Sequence, residues 1–219
     1  MDWANSAEAA VTRYRDGESR LERATDEDPR QRQLTRLGNT AWAAGLSLLM
    51  AGRRAEANEW LRRAAERYRE SWQEAPPDSW GRPIAAMKAL LIAGEDADEA
   101  ARWALDAGAV EAASPVGRYA GTLALLVLGQ DVEARVLAST LRDRDDFPRD
   151  VADALTTVAA ADRAGYLIAV EDVLESFETR TEFLEDVAVA DTVLVLQLLA
   201  AQRDADVDLP ASPRLPKGT

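Results

Sequence analysis

Apolar positions in this chain recur at spacings of three and four, and the breaks between those runs divide it into paired helices. The clearest pair runs from Thr40 to Trp72. In its first half Ala41, Ala44, Gly45, Leu48 and Leu49 fall on one face. Gly52 then supplies the left-handed conformation that ends a helix cheaply. Ala57, Trp60, Leu61, Ala64 and Tyr68 repeat the spacing on the way back, leaving Arg62, Arg63, Glu66 and Arg67 for solvent. Two amphipathic helices on a short turn bury their stripes against each other and against neighbours, so this stretch is an antiparallel hairpin.

The same punctuation divides the rest. Residues 2–24 read as a first helix with Trp3, Ala7, Ala10, Val11, Tyr14 and Leu21 on its apolar side. A break at Asp26–Asp28 and Pro29 precedes the helix that runs into the hairpin. Pro76 and Pro77 stop the second helix, since neither can continue it. Residues 80–112 form a second hairpin about Gly94, with Asp96 and Glu99 expected as a capping box for its second helix. Ser114-Pro115 opens the next helix, serine capping and proline at the first helical position. That helix reaches Leu128 with no charge from Ala120 onward, which places it at the centre of the stack. Gly129 ends it, and Asp131 is expected to cap Val132 to Leu141. Phe147-Pro148 begins a fourth hairpin whose second helix, carrying Tyr166, Leu167, Val170, Val173, Leu174 and Phe177, is capped by Asp162. Thr181 to Asp186 leads into a last helix, Val187 to Gln202, apolar almost all round.

The expectation is an all-α fold of nine or ten helices stacked as antiparallel hairpins, with 116–128 and 187–202 central. Residues 1–208 form a single domain, and 209–219, with prolines at 210, 213 and 216, an extended tail. Gly52, Gly94 and Gly129 lie 42 and 35 residues apart. Such irregular spacing makes a degenerate array and not a consensus repeat.

Composition narrows the function. The chain has no cysteine and no histidine, so it lacks a thiol nucleophile, thiolate metal ligands and the commonest general base. Glycines come singly at helix ends, with no phosphate-binding loop. The only lysines, Lys88 and Lys217, have no suggestive serine context. The reading is therefore not an enzyme, with no catalytic residue and no cofactor. The most apolar run, Val187 to Ala201, is too short and too polar for a bilayer span, and the start lacks a secretory pattern. A cytoplasmic location is expected. Six tryptophans are many for 219 residues. Trp42, Trp60 and Trp103 lie on apolar stripes and are assigned to the core, while Trp72 and Trp80 flank the Pro-Pro break and are assigned to the joint there.

Charge adds direction. The net charge is −13, and it is uneven: residues 1–72 carry thirteen basic and twelve acidic groups, net +1, so the whole acidic excess lies beyond Trp72, where thirteen basic groups face twenty-seven acidic ones, net −14. Such a chain repels nucleic-acid backbones and attracts a basic protein, although the same charge also serves solubility. The densest acidic stretch holds Glu171, Asp172, Glu175, Glu178, Glu182, Glu185 and Asp186, the candidate partner-binding residues. Helical spacing puts Glu171, Glu175 and Glu178 on one face. One helix face does not converge on a cation, so no metal site is assigned.

With Gly52 at the turn, the 40–72 hairpin resembles a tetratricopeptide repeat. Gly45 takes the small position of the first helix, and Ala57, Leu61 and Ala64 the small, large and small positions of the second. That repeat's usual tryptophan, tyrosine and terminal proline are replaced here by Ala41, Leu48 and Arg69. The later half resembles the Immunity protein 49 family of bacterial polymorphic toxin systems. The likeness rests on the apolar helix Val187 to Ala201, a short acidic linker, the closing Ser212-Pro213-Arg214-Leu215-Pro216, and the Pro115–Leu128 helix. This resemblance implies a small cytosolic protein that binds and neutralises a cognate toxin without catalysis. The repeat-like hairpin instead implies a scaffold or adaptor for an endogenous peptide or protein.

Overall fold

A computed structural model describes residues 2–24 and 26–217, the Glu27 side chain apart. Gly218 and Thr219, the end of the expected tail, lie outside the described residues, as do Met1 and Thr25. The described residues form ten α-helices and no strand: α1 (Trp3–Leu21), α2 (Glu27–Met50), α3 (Arg54–Trp72), α4 (Gly81–Ala93), α5 (Asp98–Asp106), α6 (Pro115–Val127), α7 (Asp131–Arg142), α8 (Arg149–Ala159), α9 (Arg163–Thr179) and α10 (Asp191–Ala201). The pairs α2/α3, α4/α5, α6/α7 and α8/α9 are the four hairpins, and α1 packs on α2.

The first three turns close in the same way. Gly52, Gly94 and Gly129 take φ of 76°, 74° and 68°. The next residue's N–H then reaches back to a carbonyl of the last helical turn: Arg53 to Leu48, Glu95 to Leu90 and Gln130 to Leu125, each at 2.9 Å. This bond satisfies carbonyls that the helix end would otherwise leave open. The fourth turn makes the same bond, Asp162 N–H to Thr157 O at 3.0 Å, with Ala161 in the left-handed position at φ 49°.

Gly45 marks the closest approach of α2 and α3. A Cβ there would lie 2.7 Å from Leu61 Cγ and 3.3 Å from the Ala57 carbonyl oxygen. Gly45→Ala gains about 1 kcal/mol of helix propensity. Overpacking costs about 1–3 kcal/mol and outweighs it. The variant should therefore melt below the parent in a thermal scan, and a higher melting temperature would mean that the helices separate freely here.

Several local expectations are corrected. Asp96 and Glu99 form no capping box: Asp96 Oδ1 accepts the Asp98 N–H at 2.7 Å, while Glu99 reaches Arg69 on α3 at 3.4 Å. Asp131 is the first residue of α7 and not its cap, and its carboxylate is taken by Arg203. The last helix begins at Asp191, not Val187. Residues 187–190 are buried and non-helical, and the Ala190 N–H donates to the Arg214 carbonyl at 2.9 Å. The tail is accordingly not a free extended segment. It turns at Ser212–Leu215 (Leu215 N–H to Ser212 O, 3.2 Å), and Leu215 is buried in the core. The Ser-Pro-x-Leu-Pro sequence is thus a clasp on the segment that leads into α10.

Helix α10 organises the interior. The first helices of successive hairpins touch in series, α4 on α6 and α6 on α8, and α10 packs on both α4 and α8. It therefore bridges the second and fourth hairpins, touching α9 as well as α8, on the side where an open helical array would present its inner surface. Helix α6 is buried continuously from Ala120 to Leu126, as its uncharged sequence predicts. Trp42 and Trp103 are buried, whereas Trp60 is half-buried with its ring edge-on to Tyr14 at 5.1 Å. Trp72 packs against Trp80 (5.9 Å) and Trp103 (5.3 Å), joining the first two hairpins.

Candidate partner-binding face

Helix α9 is built to show one face outward. The Asp162 carboxylate accepts the Gly165 N–H at 3.1 Å and fixes the start. Tyr166, Ala169, Val170, Val173, Leu174 and Phe177 are buried, and α9 packs on α8 and α10. The opposite side carries Leu167, Ile168, Glu171, Asp172, Glu175 and Glu178, all exposed. Ile168 is 65% exposed and stands one turn from Glu171 and Asp172 and two from Glu175. After Arg163 the helix has no basic residue. Among the described residues Glu171, Asp172, Glu175 and Glu178 have no cation within ion-pair distance. Glu178 alone has a side-chain partner, accepting the Ser212 hydroxyl at 2.6 Å.

The seven candidate residues split into two groups. Glu171, Asp172, Glu175 and Glu178 share the α9 face. Glu182, Glu185 and Asp186 lie beyond the helix end, in the connection to α10. Glu182 and Asp186 are exposed, while Glu185 turns away to Arg13 of α1 at 3.5 Å. Glu185 and Asp186 both take left-handed backbone, φ 54° and 59°, a conformation that L side chains adopt only at a cost. No group of three carboxylates able to hold a metal occurs among the described residues.

Two further surface features lie on α7 to α9. A shallow cleft of about 220 Å³ runs beside Ile168 and Asp172, walled by Thr156 and Thr157 of α8 and Arg142 of α7. On α7, Val132 and Val136 stand one turn apart, 75% and 64% exposed. Their signal was present in the sequence: both fall off the Ala134, Leu137, Ala138, Leu141 stripe.

A second polar site is buried. Lys88 sits in the middle of apolar helix α4, ion-paired to Asp191 at the start of α10 and donating to Thr192 Oγ1 at 3.0 Å. Burial works against the charge on Lys88, but the Asp191 carboxylate overcomes it and holds the ammonium above the usual lysine range. Burial likewise raises the phenol of Tyr119 beside the pair. The geometry of the pair ties α10 to α4. The pair lies at the edge of a cleft of about 500 Å³ bounded by Trp42, Phe177, Arg180 and Phe183, where the Arg180 guanidinium stacks 3.7 Å from the Phe177 ring centre.

Compared with protein-family models, curated proteins and solved structures, the chain matches none.

Proposed function

We propose that the protein is a non-catalytic, cytoplasmic protein-binding module, an immunity protein that neutralises a basic toxin domain through the outer face of α9. The observation that carries this reading is the pairing of exposed Ile168 and Leu167 with unpaired Glu171, Asp172 and Glu175 on one face. Interfaces draw their energy from a few apolar anchors inside a polar rim. Rim carboxylates speed the encounter with a basic partner, and the anchors set its dissociation. Helix α10 leaves less room for a groove-binding adaptor, because it occupies the part of the inner surface formed by α4 and α8.

The test separates the two contributions. Once a partner has been recovered from native cytosol and purified, Glu171, Asp172 and Glu175 are reversed to lysine. The association rate should then fall steeply at low salt and much less at 1 M, where the Debye length is about 3 Å. Ile168→Ala should instead raise the dissociation rate about tenfold, corresponding to about 1.4 kcal/mol. Melting temperatures should barely move, since solvated charges contribute little to folding. A triple variant that associates at the parental rate in low salt would leave the acidic face a solvating surface and nothing more.

A further inference from the structure

In a chain of net charge −13, the α1/α2 pair gathers arginines into one cleft. Arg13, Asp16, Gly17 and Arg20 share one face of α1, and Gln33, Arg36, Leu37 and Thr40 share one face of α2, both at helical spacing. The two helices are pressed together at Gly17, where a Cβ would lie 2.7 Å from Leu37 Cδ2. There the Gln33 side-chain amide donates to the Gly17 carbonyl at 3.0 Å. These eight residues, closed off by Glu185, line a cleft of about 330 Å³.

The charges in this cleft are only partly matched. Arg13 pairs with Glu185 at the long distance of 3.5 Å. Among the described residues neither Arg20 nor Arg36 has a carboxylate within ion-pair distance, and Asp16 has no cation there either. Glu185 arrives from the other end of the chain on a single 3-10 turn (Leu184–Asp186), with its backbone and that of Asp186 held left-handed. Strained backbone of this kind persists only where the surroundings hold it, and here the arginine cleft is what the Glu185 side chain enters.

We propose that this cleft binds a small phosphorylated molecule, with Arg13, Arg20 and Arg36 as its ligands, and that the Glu185 carboxylate is the internal occupant the phosphoryl group displaces. With Glu185 displaced, three guanidiniums face the one remaining carboxylate, Asp16, and a phosphoryl group, with up to two charges and three acceptor oxygens, matches that excess better than a single carboxylate does. The cleft volume is that of a small-molecule pocket. The inference is independent of the α9 face.

Calorimetric titration of the full chain with inorganic pyrophosphate at low salt tests it. Saturable one-to-one binding is expected, weakened at least tenfold in the Arg20→Gln, Arg36→Gln double variant and unaffected by Arg62→Gln, which lies on α3. Glu185→Gln keeps the side-chain length and removes the competing charge, so it should tighten binding several-fold. These side chains are solvent-accessible, and circular dichroism melts of each variant check that the fold is unchanged. No saturable binding up to millimolar pyrophosphate would overturn the proposal. So would binding indifferent to the double arginine change, or weakened by Glu185→Gln.

Discussion

Lys88→Met should destabilise the protein by about 3–5 kcal/mol, the largest loss expected from any single change considered for this fold. The reason is what it leaves behind. Lys88 is 8% exposed, and the Asp191 side chain only 19%. Methionine fills the same volume but strands a carboxylate in that low-dielectric setting, at the point where α10 starts its run across α4 and α8. Replacing both partners, with Lys88→Met and Asp191→Leu, removes the stranded charge and should recover most of the loss. A double-mutant cycle in urea therefore separates a stranded charge from lost packing. The pH dependence has a defined sign. Lys88 has its pKa raised in the folded protein by Asp191 against the opposing effect of burial. Its contribution is thus fully present below the ordinary lysine value of 10.5 and is lost as pH rises through the raised folded value. The stability gap between parent and Lys88→Met should accordingly hold constant from pH 7 to 9 and narrow only in strong alkali. A Lys88→Met variant as stable as the parent would mean that apolar contacts alone seat α10.

The hairpins were legible in the sequence wherever a glycine ends a helix, because positive φ leaves few other choices. Gly52, Gly94 and Gly129 all behave that way. The turn between α8 and α9 uses Ala161 for the same bond, so no glycine marks it, and there proline and the Asp162 cap had to serve as signals. Capping departs from the local pattern where the helix starts later or a distant cation takes the carboxylate: α5 begins only at Asp98, and Arg203 draws Asp131. Local sequence cannot anticipate that arginine, because it comes from just past the end of α10. The start of α10 was misplaced for a related reason. Val187 and Val189 continue the apolar run, but their backbone is held out of the helix by the clasp at Arg214. The carboxylates of the exposed α9 face followed from periodicity, but Leu167, grouped by the sequence with Tyr166 and Val170, is exposed beside Ile168. The buried pair did not follow from periodicity, although a lone lysine in the run Ile84–Ala93 was itself a demand for a partner, since a buried charge must be matched. The arginine cleft was also periodic on each helix, and its two halves meet only because α1 and α2 come together at Gly17.

Leu126→Ala tests whether α6 is as central as its uncharged sequence implies. Leu126 is fully buried, and its neighbours Leu123 and Ala124 are too. Its backbone carbonyl accepts both the Arg203 guanidinium at 2.7 Å and the Gly129 N–H at 3.2 Å, and alanine retains both bonds. The substitution therefore isolates the side chain: lost transfer energy plus whatever cavity the surroundings fail to close, about 2–5 kcal/mol. For a chain of this size each kcal/mol lowers the melting temperature by about 2–4 °C, so the drop should be roughly 4–20 °C. Val132→Ala provides the contrast. Its side chain is 75% exposed on the neighbouring helix α7, and surface changes of this kind stay within about 0.5 kcal/mol. The two variants remove apolar carbons from adjacent helices of one hairpin, so a large difference between them reports burial and not helix propensity. Equal melting temperatures would put α6 at the rim of the stack, leaving Leu126 without the buried surroundings that its uncharged helix implies.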